Sequence, residues 1–228
     1  MLGSCAPRAA WISPHELAVR LAIASVLILG VMHLLQRPAA RALIPVFRAA
    51  IHVLSDSFVI NDVRITQHGA SDTVRFRANL AQPVTLDGRK IYPFGWNGGP
   101  QGGFQVTYTV GGVLSYIALM LIVVHAWPAQ GAREQALRFL LSIPRIAVLL
   151  VLDVPTTVLA ELWNGLYDWA DIHRVSGWMV WSRFLMGGGG YLIALLMAAG
   201  VLVWARWLST PPDCCEATGH HETATLTS

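Results

Sequence analysis

Leu21-Ala-Ile-Ala-Ser-Val-Leu-Ile-Leu-Gly-Val-Met32 carries no charged side chain. It is the centre of an apolar run that the sequence extends over residues 17–36, the length a helix needs to cross a bilayer core of about 30 Å. Pro14 precedes the run, where a proline suits a helix start, and Arg20 sits near one end, able to reach the headgroups. Working outward, three further apolar runs follow at 104–127, 136–160 and 184–208. The expected fold is therefore a mainly α-helical membrane protein with four transmembrane helices. Composition agrees with a bilayer environment. The chain is 54% hydrophobic and 13% charged, against about 25% charged in a soluble domain, and mean hydropathy is +0.52. A net charge of +3 over 228 residues gives no case for nucleic-acid binding.

The segment 37–103 interrupts the apolar pattern. In residues 38–57, Ile44, Phe47, Ile51 and Leu54 recur at helical spacing with Arg41 and Arg48 elsewhere. That spacing predicts an amphipathic helix, either on the membrane surface or packed on the domain that follows. Val74, Phe76, Ala78 and Leu80 then alternate with Thr73, Arg75, Arg77 and Asn79, a period of two that marks a half-buried strand. Asp87-Gly88 between Val84-Thr-Leu86 and Arg89-Lys-Ile-Tyr92 signals a tight hairpin. A small antiparallel β module between helices 1 and 2 is expected. It is too short to bury a core alone, so it must lean on the helices or on a partner. Arg75, Arg77, Tyr92 and Trp96 form its candidate interaction surface. The glycine-rich run from Gly95 to Gly103 has no Lys-Ser/Thr after it and reads as a tight connection rather than a phosphate loop.

The remaining segments are connections and ends. Residues 1–16 read as a cytoplasmic N-terminus with an uncleaved anchor after it, 128–135 as a cytoplasmic loop, 161–183 as an interfacial aromatic loop, and 209–228 as a disordered cytoplasmic tail. Arginines in short connections set orientation. Arg8, Arg20, Arg133, Arg138 and Arg206 on one side outweigh Arg174 and Arg183, which Asp168 and Asp171 offset. Both termini are therefore expected in the cytoplasm, with the β module outside.

Chemistry is sparse. Arg145, Asp153 and Glu161 are the candidate functional polar residues. Arg145 and Asp153 are eight residues apart, about 12 Å along a helix, so they share a face without pairing. Gly190, Ala194 and Ala198 repeat every fourth residue and suit a close helix–helix contact. No catalytic constellation, metal-ligand spacing or cofactor motif is present. Cys5, Cys214 and Cys215 all lie outside the apolar and β segments, which leaves no thiol nucleophile there.

Lys90-Ile-Tyr-Pro-Phe-Gly-Trp-Asn97, leading into the apolar run from Tyr108 to Val124, resembles the bacterial membrane proteins that accompany exosortases, the exosortase H type in particular. The resemblance covers the architecture of residues 15–205 and about ten residues of motif. It implies an accessory role in envelope protein sorting, with an exosortase as the membrane protein partner. An exosortase itself uses a membrane-embedded cysteine, which this chain lacks, so the resemblance does not extend to peptidase activity. The expected function is a non-enzymatic accessory protein of the bacterial inner membrane, in contact with the lipid bilayer and a protein partner. Two alternatives stand beside it: a small membrane enzyme or transporter component using Asp153 and Arg145, and an envelope ligand sensor acting through the β module.

Overall fold

Ser13 begins the described chain by capping a helix: its hydroxyl accepts from the Glu16 backbone N–H at 3.2 Å, and Pro14 fills the first helical position. In this computed structural model residues 13–68, 71–95 and 102–209 are described. The helix so started, α1, runs over Pro14–Leu54 and holds Pro38 and Pro45 in its interior. Its two halves differ in what surrounds them. No residue in the most apolar window of Pro14–Pro38 is fully buried; Val26, Leu27 and Leu34 are exposed, and Met32 is partly buried against the core. Past Pro38, Ala40, Phe47 and Ile51 are buried. Of the two readings of residues 38–57, packing on the following domain is the one observed.

Five strands follow: β1 (Phe58–His68), β2 (Ser71–Leu80), β3 (Val84–Leu86), β4 (Arg89–Ile91) and β5 (Phe104–Thr109). β1, β2 and β5 form an antiparallel sheet with β2 in the centre. The register shifts between Ile60 and Asp62, a bulge at Asn61. β3 and β4 form a separate hairpin closed by Asp87 and Gly88, both at positive φ (49° and 78°), the backbone an Asp-Gly turn supplies. The inner face of the sheet buries Val74, Phe76, Ala78, Leu80, Phe104, Val106 and Tyr108.

Four further helices follow among the described residues: α2 (Val110–Ala126), α3 (Ala132–Trp169), α4 (Gly177–Phe184) and α5 (Gly190–Ser209); a π turn at Leu185–Gly189 joins the last two across a kink where Gly188 has φ 110°. α5 packs on α2 and α3 along Gly190, Ala194, Ala198, Val201 and Ala205, all buried. Small side chains at these positions let the helix axes approach. A Cβ on Gly190 would come within 2.6 Å of the Tyr116 ring. The Tyr116 hydroxyl donates to the Leu185 carbonyl at 3.3 Å, a carbonyl in the π turn.

The expectation of four transmembrane helices is corrected. Among the described residues, two helices are long and apolar enough to cross a membrane, Pro14–Pro38 and Gly177–Ser209. The run at 104–127 fails because its first six residues are strand β5. The 17-residue helix that remains, α2, is about 25 Å long, short of a core of about 30 Å. The run at 136–160 lies in a continuous 38-residue helix with Pro144 and Pro155 inside it; its apolar stretch is interrupted by Arg145 and Asp153, with only Ile146–Leu152 between them.

Residues 161–183, expected as an aromatic loop, are mostly helical. Residues 161–169 are the last turns of α3 and 177–183 belong to α4. Their aromatic rings pack on the β module: Trp163 lies edge-on to Phe58 at 5.4 Å, and Phe94 contacts both Phe104 (5.1 Å) and Trp169 (5.3 Å). Trp163 is half-buried in these contacts, while Trp169 stays exposed on its other side. Of the expected terminal segments 1–16 and 209–228, residues 1–12 and 210–228 lie outside the described residues, and Pro14 to Glu16 belong to α1.

Candidate functional site

Asp153, the least ordinary residue of the apolar runs, is 7% exposed. The Tyr108 hydroxyl, on the inner face of β5, donates to its Oδ2. Burial first, and then the adjoining Asp153 charge and hydrogen bond, push the Tyr108 phenol far above its ordinary value, so it stays a donor. The carboxylate is thus consumed by a contact that ties the sheet to the middle of α3. Thr156 turns its hydroxyl back to the Leu152 and Asp153 carbonyls, satisfying backbone acceptors next to Pro155.

Arg145 is engaged elsewhere. Its Nη1 donates to the Leu141 carbonyl at 2.8 Å, and its guanidinium carbon lies 5.2 Å from the centre of the Trp204 ring on α5. Glu161 is exposed on α3. The structure does not bring Asp153, Arg145 and Glu161 together; each has different surroundings, and no shared reaction centre forms from them.

A polar cluster that sequence reasoning missed lies at the α2–α3 connection. Arg138, counted above as an orientation-setting arginine, is 2% exposed. It donates to the Val124 carbonyl at 3.2 Å, to the Pro128 carbonyl at 2.9 Å and to the Trp127 carbonyl, and it pairs with Glu134. Glu134 in turn accepts the Gln130 backbone N–H at 2.7 Å. Burial acts to raise the Glu134 pKa, but the Gln130 hydrogen bond and the Arg138 guanidinium outweigh it and hold the carboxyl below its ordinary value. This cluster closes the end of α2 with a cation where its carbonyls point. The Glu134–Arg138 spacing of four was a local signal for the pair, but it does not tell a buried pair from an exposed one.

The outer face of the sheet is different in kind. Arg75 and Arg77 are exposed there on β2. Arg64 on β1 stands directly opposite Arg75, and Asp62 opposite Arg77. Asp62 Oδ2 pairs with Arg64 Nε at 2.6 Å, leaving one carboxylate among three guanidiniums. Gln105 and Thr107, the neighbours on β5, add no charge. An open cleft of about 600 Å³ lies on this side, lined by Asn61, Asp62, Arg64, Arg77, Phe94, Gly95 and Gly102. Asn79 fixes one wall by clamping the Phe94 backbone: its Nδ2 donates to the Phe94 carbonyl, and its Oδ1 accepts the Phe94 N–H, both at 2.9 Å. Tyr92 is exposed nearby in sequence, half its surface open. Trp96, the fourth residue of the expected surface, lies outside the described residues. Asp62 and Arg64 were legible only once the β1–β2 register was known.

No family model, curated protein or solved structure matches the chain. Function must therefore be argued from the residues themselves. Among the described residues no group of three or more His, Cys, Asp or Glu side chains converges as a metal site would require.

Proposed function

We propose that this chain is a non-enzymatic accessory protein of the bacterial inner membrane, which holds a small extracytoplasmic sheet against its helices and offers the sheet's outer face to a membrane protein partner. The observation that carries this reading is the in-register pair Arg64–Arg75, with Arg77 beside it. Like charges directly opposite on one sheet face are destabilising; Asp62 offsets Arg64, which leaves the charges of Arg75 and Arg77 for a partner that brings negative charge. The polar residues of the helical body give no comparable opening, because Asp153, Arg138 and Arg145 are each taken up by internal contacts.

The membrane assignment rests on the long apolar helices. Pro14–Pro38 is about 37 Å long and offers lipid the uncharged stretch Leu21–Met32 at its centre, and Gly177–Ser209 spans 33 residues across a kink at Gly188, with outward side chains that include Leu192, Leu196, Val203 and Trp207. In this reading the first crosses outward and the second crosses back, with Pro14 and Ser209 on the cytoplasmic side and the sheet outside. Arg20 and Arg206 then fall on the cytoplasmic side, in keeping with positive-inside bias. The partner the sequence resemblance favours is an exosortase-type sorting peptidase.

Co-purification from membranes in a mild detergent tests the reading. The chain is expected to bring down a stoichiometric membrane protein, and to lose it when Arg75 and Arg77 are both changed to Ala. A strictly monomeric chain with no co-purifying protein contradicts it.

A further inference from the structure

The outer face of the sheet is specific about the chemistry it would accept. Arg75 and Arg77 lie two residues apart on one strand and so project to the same side, about 6.6 Å from each other along the strand. Arg64 lies across from Arg75, roughly 5 Å away between Cβ atoms. The three cations form a row with a side branch, not a converging pocket. Among the described residues, Arg75 and Arg77 make no ion pair. Beside the row is the cleft whose wall, Phe94–Gly95, Asn79 holds in place. The Phe94 ring is part-buried against Phe104 and Trp169 and so cannot swing away freely.

We infer that this face binds an acidic polypeptide segment in extended conformation. An extended chain presents every second side chain to one side at the same repeat as Arg75 and Arg77. Carboxylates at alternate positions then meet successive guanidiniums, each able to form a paired hydrogen-bonded contact. A third carboxylate reaches Arg64, whose only carboxylate partner among the described residues is Asp62. The residues between the acidic ones face away from the sheet, and the cleft with Phe94 at its wall flanks the stems of the acidic side chains. A single phosphate is too compact to satisfy cations spread along a strand, and a lipid headgroup brings one such group at a time. The Asn61 bulge and the charges on β1 work against simple addition of a strand at that edge, so recognition is through side chains on the face. This inference rests on the docking role proposed above and names the chemistry of the docked segment.

The test uses the full chain in nanodiscs of zwitterionic lipid and fluorescence anisotropy of a labelled peptide that alternates glutamate and threonine. Saturable binding is expected, weakened about tenfold in the Arg75→Gln, Arg77→Gln double variant and weakened by added salt. A peptide alternating lysine and threonine should not bind. Equal affinity of the wild type and the double variant overturns the inference, as does displacement of the peptide by inorganic phosphate or by anionic lipid vesicles at matched ionic strength and matched negative charge. Absence of peptide binding, with a membrane partner still co-purifying, sinks this site and leaves the accessory role standing. Peptide binding without any co-purifying partner does the reverse.

Discussion

Tyr108 on β5 and Asp153 on α3 are 45 residues apart in sequence and share a buried hydrogen bond. One belongs to the sheet and the other to the middle of the longest run of helix after α1. Their contact fixes the height at which the β module sits on the helical body.

Loss of the phenol should therefore cost more than loss of the charge. Tyr108→Phe removes the donor and leaves a buried carboxylate unsatisfied, an expected destabilisation of about 1–3 kcal/mol. Asp153→Asn keeps an oxygen acceptor for Tyr108 and should be milder. Thermal unfolding in detergent, followed by tryptophan fluorescence, checks the order. If Asp153→Asn instead left stability intact and abolished a cellular function that Tyr108→Phe preserved, a chemical role for the carboxylate would be established against the present account.

The Arg138–Glu134 pair should behave as a buried ion pair does when one member is removed. Arg138→Met leaves the Glu134 carboxylate buried without its cation and strips the Val124 and Pro128 carbonyls of their donor, an expected loss of about 3–5 kcal/mol. Replacing both together, with Glu134→Gln, should recover part of that loss. Chemical denaturation of the single and double variants measures the difference.

The same pair sets an acid limit. Glu134 has a pKa lowered on folding, so its contribution to stability is fully present above the unfolded value of about 4.3 and is lost as pH falls through the lower folded value. Wild-type stability is expected to drop below about pH 4, and the Glu134→Gln variant should lack that part of the drop. Parallel pH titrations of the unfolding midpoint test this.

Gly190 should tolerate no side chain. Ala at this position brings its Cβ against the Tyr116 ring, and Tyr116 is held by its bond to Leu185 and by the Tyr191 ring 4.7 Å away. The expected cost is about 1–3 kcal/mol, whereas Ala at Gly187, which meets nothing within 4 Å, should be close to neutral. Comparing the two variants by thermal unfolding separates close packing from a general glycine effect.

Much of this arrangement was legible where a local rule governs it. The Asp87-Gly88 turn follows from its dipeptide, the two faces of β2 follow from strict alternation, and the Gly190, Ala194, Ala198 seam follows from four-residue spacing. Strand β5 was legible in principle, since Phe104, Val106 and Tyr108 alternate with Gln105, Thr107 and Thr109. It was lost because an apolar strand joined directly to an apolar helix reads as one hydrophobic run, and that reading produced an expected span at 104–127. The α3 run misled for a related reason: average hydropathy hides what Pro144, Arg145, Asp153 and Pro155 do to its continuity. The partner of Asp153 is set by tertiary register over 45 residues, which no local pattern spans; the Glu134–Arg138 pair has i,i+4 spacing, but its burial and its carbonyl partners at Val124 and Pro128 depend on how α2 meets α3.

The central claim is that the outer face of β1–β2–β5 is a docking surface for a protein. A photo-activatable cross-linking residue at Gln105, exposed on that face, tests it in intact bacterial membranes. The account predicts one discrete protein adduct that disappears when Arg75 and Arg77 are changed to Glu while the unfolding midpoint stays unchanged. No protein adduct, or an adduct indifferent to those two charges, would contradict it.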